Sequence, residues 1–427
     1  MKFRISTLGC KVNQYESQRM EDMLTASGFE PASADEIPDI YIINSCTVTS
    51  TADQKSRQQL HRARRENPAA IIVLCGCMSQ AFPEKCAALE DVDIVIGNAN
   101  RERLPQLILQ YIEDHMRVCE VVPHSAEYSE HGCVARLGDR TRAYIKIEDG
   151  CNRFCSYCII PYATGRVRSR SLDDITAEAS ELAGSFREVV LVGINLSSYG
   201  QDCGLTLADA VDAAAMPDGI ARVRLGSLEP DLMDDETLDR LAKQPKFCPQ
   251  FHIAIQSGCD ATLRRMNRHY TCAEFDDLVR RIRERFDNAS ITTDIMVGFA
   301  GETDAEFEQT MDFVRHIGFA RAHCFVYSRR EGTRAYDMPD QVSPPVAAGR
   351  SARMIALCNE SENAFLRSQI GREVEVLIER ETAEGQWEGY SENYTPVRIL
   401  DECRRGEIVR ASIYAVEDGV CEAERVE

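Results

Sequence analysis

Between residue 138 and about residue 330 the chain alternates six times between apolar, strand-like runs and stretches with helical spacing. The runs are AYIKIED, EVVLVGI, ARVRLGS, FHIAIQS, ITTDIMVGF and AHCFVYS. SLDDITAEASELAG and DAEFEQTMDFVRHIG are two of the helical stretches between them. Short apolar runs separated by helices predict parallel strands, and six βα units in succession predict a closed or partly open (β/α)6 barrel. The same alternation precedes it: FRISTL, IYIINS, AIIVLCG and DIVIG lie among helical stretches over residues 1–135. That pattern predicts a doubly wound parallel sheet with helices on both faces. PPVAAGRSARMIALCNESENAFLRSQ, residues 344–369, reads as one long exit helix. Beyond it the period falls to two, and EVEVLIERE, QWEGYSEN, TPVRIL, GEIVRASIYAVED and GVCEAERVE predict a small all-β barrel. The expected class is α/β, with domains at 1–135, 138–368 and 369–427.

The first barrel strand runs into EDGCNRFCSYCIIPYATGRVRSR, with Cys151, Cys155 and Cys158 inside eight residues. A structural zinc site needs four protein ligands, and the next downstream cysteine, Cys203, is a full βα unit away. Three thiolates on one loop can instead hold a [4Fe–4S] cluster by three irons and leave the fourth open. The loop sits where barrel active sites sit, after the end of a strand. Gly150 permits a tight backbone turn there, and Tyr157 stands beside the last cysteine. A zinc knuckle completed from elsewhere, or thiols without a metal, are the other readings of these residues.

A second trio lies upstream. Cys10, Cys46 and Cys77 each follow one of the first three long strands, whose ends share one sheet edge, so the three sulfurs converge without motif-like spacing. This predicts a second cluster with an open iron; the alternative for each residue alone is a small buried hydrophobe. Cys75, two residues before Cys77, reads as core, as do the remaining eleven of the eighteen cysteines. No apolar run reaches the ~18 residues that span a bilayer, and the N-terminus has no long apolar segment of a secretion signal, so a reducing cytoplasm is expected.

Taken together, TLGCKVNQYES, NSCTVTSTADQKSR, GCMSQ, DGCNRFCSYCIIPY, LVGINLSSYG, LGSLEPD, HIAIQSGCDATLRRMNRHYT, TDIMVGFAGET and GYSENYTPV resemble the methylthiotransferases of the radical S-adenosylmethionine (SAM) superfamily. The resemblance covers nearly the whole chain. It implies an N-terminal cluster domain, a radical SAM partial barrel and a C-terminal TRAM barrel. It implies that Cys151, Cys155 and Cys158 hold the cluster that cleaves SAM to methionine and a 5′-deoxyadenosyl radical. Cys10, Cys46 and Cys77 would hold an auxiliary cluster that carries the sulfur. Two SAM molecules are expected per turnover, one to methylate that sulfur and one to supply the radical. The opening TLGCKVNQYES resembles the branch that methylthiolates N6-threonylcarbamoyladenosine beside the tRNA anticodon. The branches acting on isopentenyladenosine in tRNA or on a ribosomal protein aspartate are alternatives, and a non-catalytic Fe–S RNA-binding scaffold or sensor is a reading of another class. The chain departs from the family at Ala163-Thr164-Gly165, Ala300, Val326 and Arg334, none of them at a cysteine ligand.

SAM is expected across the strand ends, which makes Asn195, Glu229, Gln256 and Asp294 candidates beside Tyr157. A tRNA partner needs local positive charge, although the chain carries a formal −20. Three basic runs supply candidates: Lys55 and Arg57; Arg166, Arg168 and Arg170; Arg264, Arg265 and Arg268, with Tyr270 able to stack on a base. The bland reading of each run is a solvated helix face. The terminal barrel is acidic, with seven Lys or Arg against fifteen Asp or Glu over residues 370–427, which suits RNA contact through one face or a structural role. An electron donor and a sulfur source are further implied partners, no membrane is expected, and a monomer is the favoured state.

Overall fold

A computed structural model describes residues 1–128 and 140–426. Two compact units emerge: Met1–Leu137 with Glu148–Arg170 and Ser328–Tyr336, and the remainder. Packing therefore crosses the boundaries drawn along the sequence. The three-cysteine loop belongs to the N-terminal unit, and the terminal barrel to the unit of the central strands. The boundary near residues 135–138, and Cys133, lie outside the described residues.

The first unit is built on a six-stranded parallel sheet in the order Glu30–Pro31, Lys2–Thr7, Ile40–Ser45, Ile71–Gly76, Ile94–Ile96, Val118–Glu120. Every residue of Ile40–Ser45 and Ile71–Gly76 is buried, because alternate side chains meet helices on opposite faces. Ile40 and Ile42 pack with Met20, Leu24, Leu107 and Ile108. Tyr41 and Ile43 pack with Leu60 and Ala63 of helix Ser50–Glu66. The two outermost strands carry too few apolar residues to stand out in the sequence. This strand order places the reversal of winding between Lys2–Thr7 and Ile40–Ser45, where a doubly wound sheet opens a crevice at its carboxyl edge.

In the second unit the strands Arg142–Lys146, Glu188–Val192 and Arg222–Leu225 form one parallel sheet. Ser227–Leu228, Gln250–Ile253, Ser290–Val297 and Arg321–Val326 form another. Gly226 interrupts the third strand between the two, so six strands make a partial (β/α)6 barrel. The exit helix spans Pro344–Ser368. Five strands then close into a barrel: Glu373–Glu381, Trp387–Ser391, Pro396–Ile399, Val420–Arg425 and Ile408–Glu417. Among the described residues no helix is long and apolar enough to cross a membrane.

Charge ties the small barrel to the amino ends of the central strands. Glu188 is fully buried between its register partners Arg142 and Arg222. Its carboxylate lies 2.7 Å from Arg142 Nε and 2.9 Å from Arg224 Nε. Arg142 also reaches Glu379 and lies over the rings of Tyr390 and Tyr394, which stack on each other at 4.5 Å. Arg224 donates to the carbonyls of Ser391 and Glu392. The GYSENY stretch is thus a docking loop. Glu188→Ala removes the carboxylate shared by three guanidinium groups, leaving buried Arg224 without an anion, and is expected to lower stability by about 3–5 kcal/mol, read from denaturant unfolding. Burial by itself would raise the Glu188 pKa, but Arg224 and Arg142 outweigh it and hold the carboxyl at about 2. Its contribution is therefore complete above the ordinary value of 4.5 and lost as pH falls toward about 2. Glu188→Gln should flatten the stability slope over that window.

Candidate functional site

Gly150 takes φ +87°, and a Cβ there would lie 1.9 Å from the Arg166 carbonyl oxygen. Only glycine lets the loop turn this close to its own return strand. The return pairs Glu148–Asp149 with Arg168–Ser169. Arg168 clips the turn, 3.1 Å from Asp149 and donating to the carbonyls of Arg166 and Thr164. Inside it the Cys151 N–H donates to Gly165 and the Cys158 N–H to Cys155. Cys155 is buried; Cys151, Tyr157 and Cys158 are half-buried. Cys151, Cys155 and Cys158 thus lie on one short, pinned loop.

The second trio is assembled by the sheet. Cys10 is the N-cap of helix Lys11–Ala26, and its thiol donates to Asn13 Oδ1 at 3.2 Å. Gly9, at φ +114°, brings that turn so near that a Cβ would lie 2.9 Å from Cys46 Cβ. Asn13 in turn donates to the Ser45 carbonyl at 3.2 Å, and Asn44 Nδ2 donates back to the Asn13 carbonyl at 2.9 Å. Cys77 opens the short helix Cys77–Ala81. Cys46 and Cys77 are buried. Burial pushes both thiols up, and at Cys77 the neighbouring Glu16, Cys46 and Cys10 push further. Such a pocket penalises bare thiolates, so its sulfurs suit a ligand role once cationic iron offsets their charge. The donor set is sulfur only, with Cys10 and Cys77 at helix starts where the dipole favours anions, and fits an iron–sulfur cluster. Among the described residues no three His, Cys, Asp or Glu stand as a ready single-ion site; a cluster holds its ligand sulfurs farther apart than one ion does. Cys75 turns the other way, into the core, with its thiol at about 12 through burial. Cys119 and Cys203 are exposed, contrary to the expectation that every remaining cysteine is core.

The two trios are neighbours. Helix Cys77–Ala81 packs against helix Ile160–Thr164, which follows Cys158. Asn98 Nδ2 lies 3.9 Å from Cys77 Sγ and donates to the Ala163 carbonyl at 3.3 Å. Arg101 holds Asn98 Oδ1 at 3.0 Å and is itself paired with buried Glu16. Asn98 and Arg101 carry no signature in the sequence. Asn13, three residues after Cys10 on a helix, was findable by spacing.

The strand-end candidates sit in the second unit. Asn195 and Gln256 are buried, and Glu229 and Asp294 partly so. Gln256, at φ +63°, has a side-chain carbonyl that is buried with no hydrogen-bond partner, which suits a ligand donor. Asp294 accepts from His252 Nε2 at 3.3 Å, and Glu229 is held by Arg268 at 2.6 Å. Four of the proposed RNA cations are used inside the protein. Arg168 clips the cluster loop. Arg170 is 1% exposed and reaches Tyr15 OH. Arg265 forks onto Glu306. Arg268 binds Glu229 and Tyr270, whose own ring is buried and presents no face to a base. Runs of charge read alike whether solvated or internally paired, so burial had to decide. Lys55, Arg57, Arg166 and Arg264 remain exposed.

Residues 145–314 match the Radical SAM superfamily, and residues 2–97 match the Uncharacterized protein family UPF0004. The threonylcarbamoyladenosine tRNA methylthiotransferase MtaB of Bacillus subtilis is 36% identical over 95% of this chain and 92% of its own. The tRNA-2-methylthio-N(6)-dimethylallyladenosine synthase of Pelotomaculum thermopropionicum is 39% identical over 92% of this chain and 90% of its own. Among solved structures, the radical SAM methyltransferase TsrM from Kitasatospora setae, at 16% identity, shares the fold with a TM-score of 0.58 over 78% of this chain and 76% of that one. With relatives this similar over almost their whole length, the chain belongs to the radical SAM tRNA methylthiotransferases, enzymes that use S-adenosylmethionine and two [4Fe–4S] clusters.

Proposed function

We propose that this enzyme converts N6-threonylcarbamoyladenosine beside the tRNA anticodon into its 2-methylthio derivative, with Cys151, Cys155 and Cys158 holding the SAM-cleaving cluster and Cys10, Cys46 and Cys77 the auxiliary one. The observation that carries the residue roles is the gathering of both trios in one unit, bridged by Asn98 between Cys77 and Ala163. When bound, the first cluster with SAM supplies a 5′-deoxyadenosyl radical and the second supplies the sulfur. The chain's own part is placement. Gly150 and Arg168 shape the first loop. Asn13 orients the Cys10 thiol, and burial of Cys46 and Cys77 keeps water from the sulfur to be transferred. Gln256 and Asp294 are offered to SAM, and Lys55, Arg57, Arg166 and Arg264 to phosphates. An electron donor and a sulfur source complete the turnover.

The opening TLGCKVNQYES supports the threonylcarbamoyl substrate. A relative named for the dimethylallyl nucleoside is 39% identical, against 36% for one named for the threonylcarbamoyl nucleoside, so that substrate is the second reading. Mass spectrometry of tRNA nucleosides decides between them. Deleting the gene should remove the 2-methylthio-threonylcarbamoyl nucleoside and leave the 2-methylthio-isopentenyl one. The reverse pattern assigns the other substrate.

A further inference from the structure

Ser328–Tyr336 leaves the last central strand, yet it packs in the unit that holds both cysteine trios. Its contacts fall on each of them in turn. Arg330 donates to Thr47, the residue after Cys46, and lies 2.5 Å from Asp53 on the helix that follows. Thr47 also donates to Asp53 at 2.9 Å, so the three side chains close a ring. The Arg330 guanidinium lies 5.0 Å over Phe82, which ends the Cys77 helix. Ser328 accepts from the Ser50 N–H at 3.2 Å. At the other end the Ala335 N–H donates to the Ser156 carbonyl, between Cys155 and Cys158, at 2.7 Å. Gly332, at φ +84°, turns where a Cβ would come within 3.2 Å of Ile159. Arg330 is 5% exposed, and a guanidinium buried this deeply is held only by specific partners.

We propose that Ser328–Tyr336 is a strap that sets the spacing between the two iron centres, with Arg330 as the residue that positions the Cys46 loop and the Cys77 helix against the SAM loop. This rests on the assignment of one cluster to each trio. An acceptor sulfur must meet the substrate carbon where the radical forms, and an error of about 1 Å costs on the order of 100-fold. Arg330 hydrogen-bonds to Thr47 and Asp53, so its role is that of a positioning residue, although its charge also acts on the Cys46 thiol. Lysine cannot replace it, because one ammonium cannot fork onto Thr47 and Asp53 while stacking on Phe82.

The test uses anaerobically reconstituted full-length protein carrying Arg330→Gln, Arg330→Lys or Thr47→Val. Four readouts are needed: iron content, 5′-deoxyadenosine release, methylthio nucleoside formed per 5′-deoxyadenosine, and the magnetic interaction between the two reduced clusters by electron paramagnetic resonance. Both Arg330 variants should keep about eight irons and release 5′-deoxyadenosine within about twofold of wild type. They should lose the wild-type spin interaction and drop the product ratio at least about tenfold, toward the cost of a small misplacement. Thr47→Val should do the same to a smaller extent, and it decides the matter should the Arg330 variants not fold. An unchanged spin interaction and product ratio overturns the proposal. A fall to about four irons also overturns it, since Arg330 would then retain a cluster rather than space two. Wild-type protein with a single cluster would instead remove the two-cluster assignment itself.

Discussion

Replacing any one of Cys151, Cys155 and Cys158 by alanine is expected to abolish reductive cleavage of SAM. Three sulfurs leave one iron of a [4Fe–4S] cluster for SAM; two do not hold the cluster in place. The loop is pinned by Gly150 and Arg168 and does not re-form around another residue. Loss of an outer-shell partner to a metal ligand costs about 10- to 100-fold; loss of a ligand should exceed the upper figure and reach background. Anaerobic assay of 5′-deoxyadenosine with a strong reductant reads the activity. Iron analysis of the triple variant should show a drop from about eight irons to about four. Retained cleavage in Cys155→Ala, the most buried residue of the three, would sink the assignment.

Replacing Cys10, Cys46 or Cys77 by alanine should give a different phenotype. Methylthio nucleoside should disappear, while SAM cleavage continues uncoupled from product. The separation follows from construction. These three sulfurs are brought together by strand ends and by the Asn13–Asn44 lock, and none belongs to the loop that holds the first cluster. Cys46→Ala should be as severe as the others, since it removes one of the three sulfurs that hold the cluster. Measuring both products in one reaction checks this. If cleavage and product fall together, the trios share one function and the division of labour is wrong.

Much of this was legible in the chain. The apolar runs marked strands such as Ile40–Ser45, Ile71–Gly76 and Glu188–Val192, because strands buried on both faces tolerate few polar residues. The Cys151 loop was readable outright, because its geometry is local: a glycine turn and three thiols within eight residues. The edge strands Glu30–Pro31 and Val118–Glu120 were not, since half-exposed strands of two or three residues carry no pattern. Arg168, Arg170, Arg265 and Arg268 looked like an RNA surface because an arginine in a basic run has the same spelling whether it faces phosphate or a buried carboxylate.

The sequence by itself pointed to the fold class and to the Cys151 loop, which depend on local periodicity and near-neighbour spacing, and to the reaction family through its resemblance over nearly the whole chain. Only the tertiary structure decided that Arg330 grips the Cys46 loop from 283 residues beyond Thr47, that Asn98 joins the two trios, and that the GYSENY loop docks on buried Arg142 and Arg224. Those contacts join residues whose separation along the chain bears no relation to their separation in space. Burial, which turns a charge from a surface feature into a structural one, exists only once the chain has closed on itself.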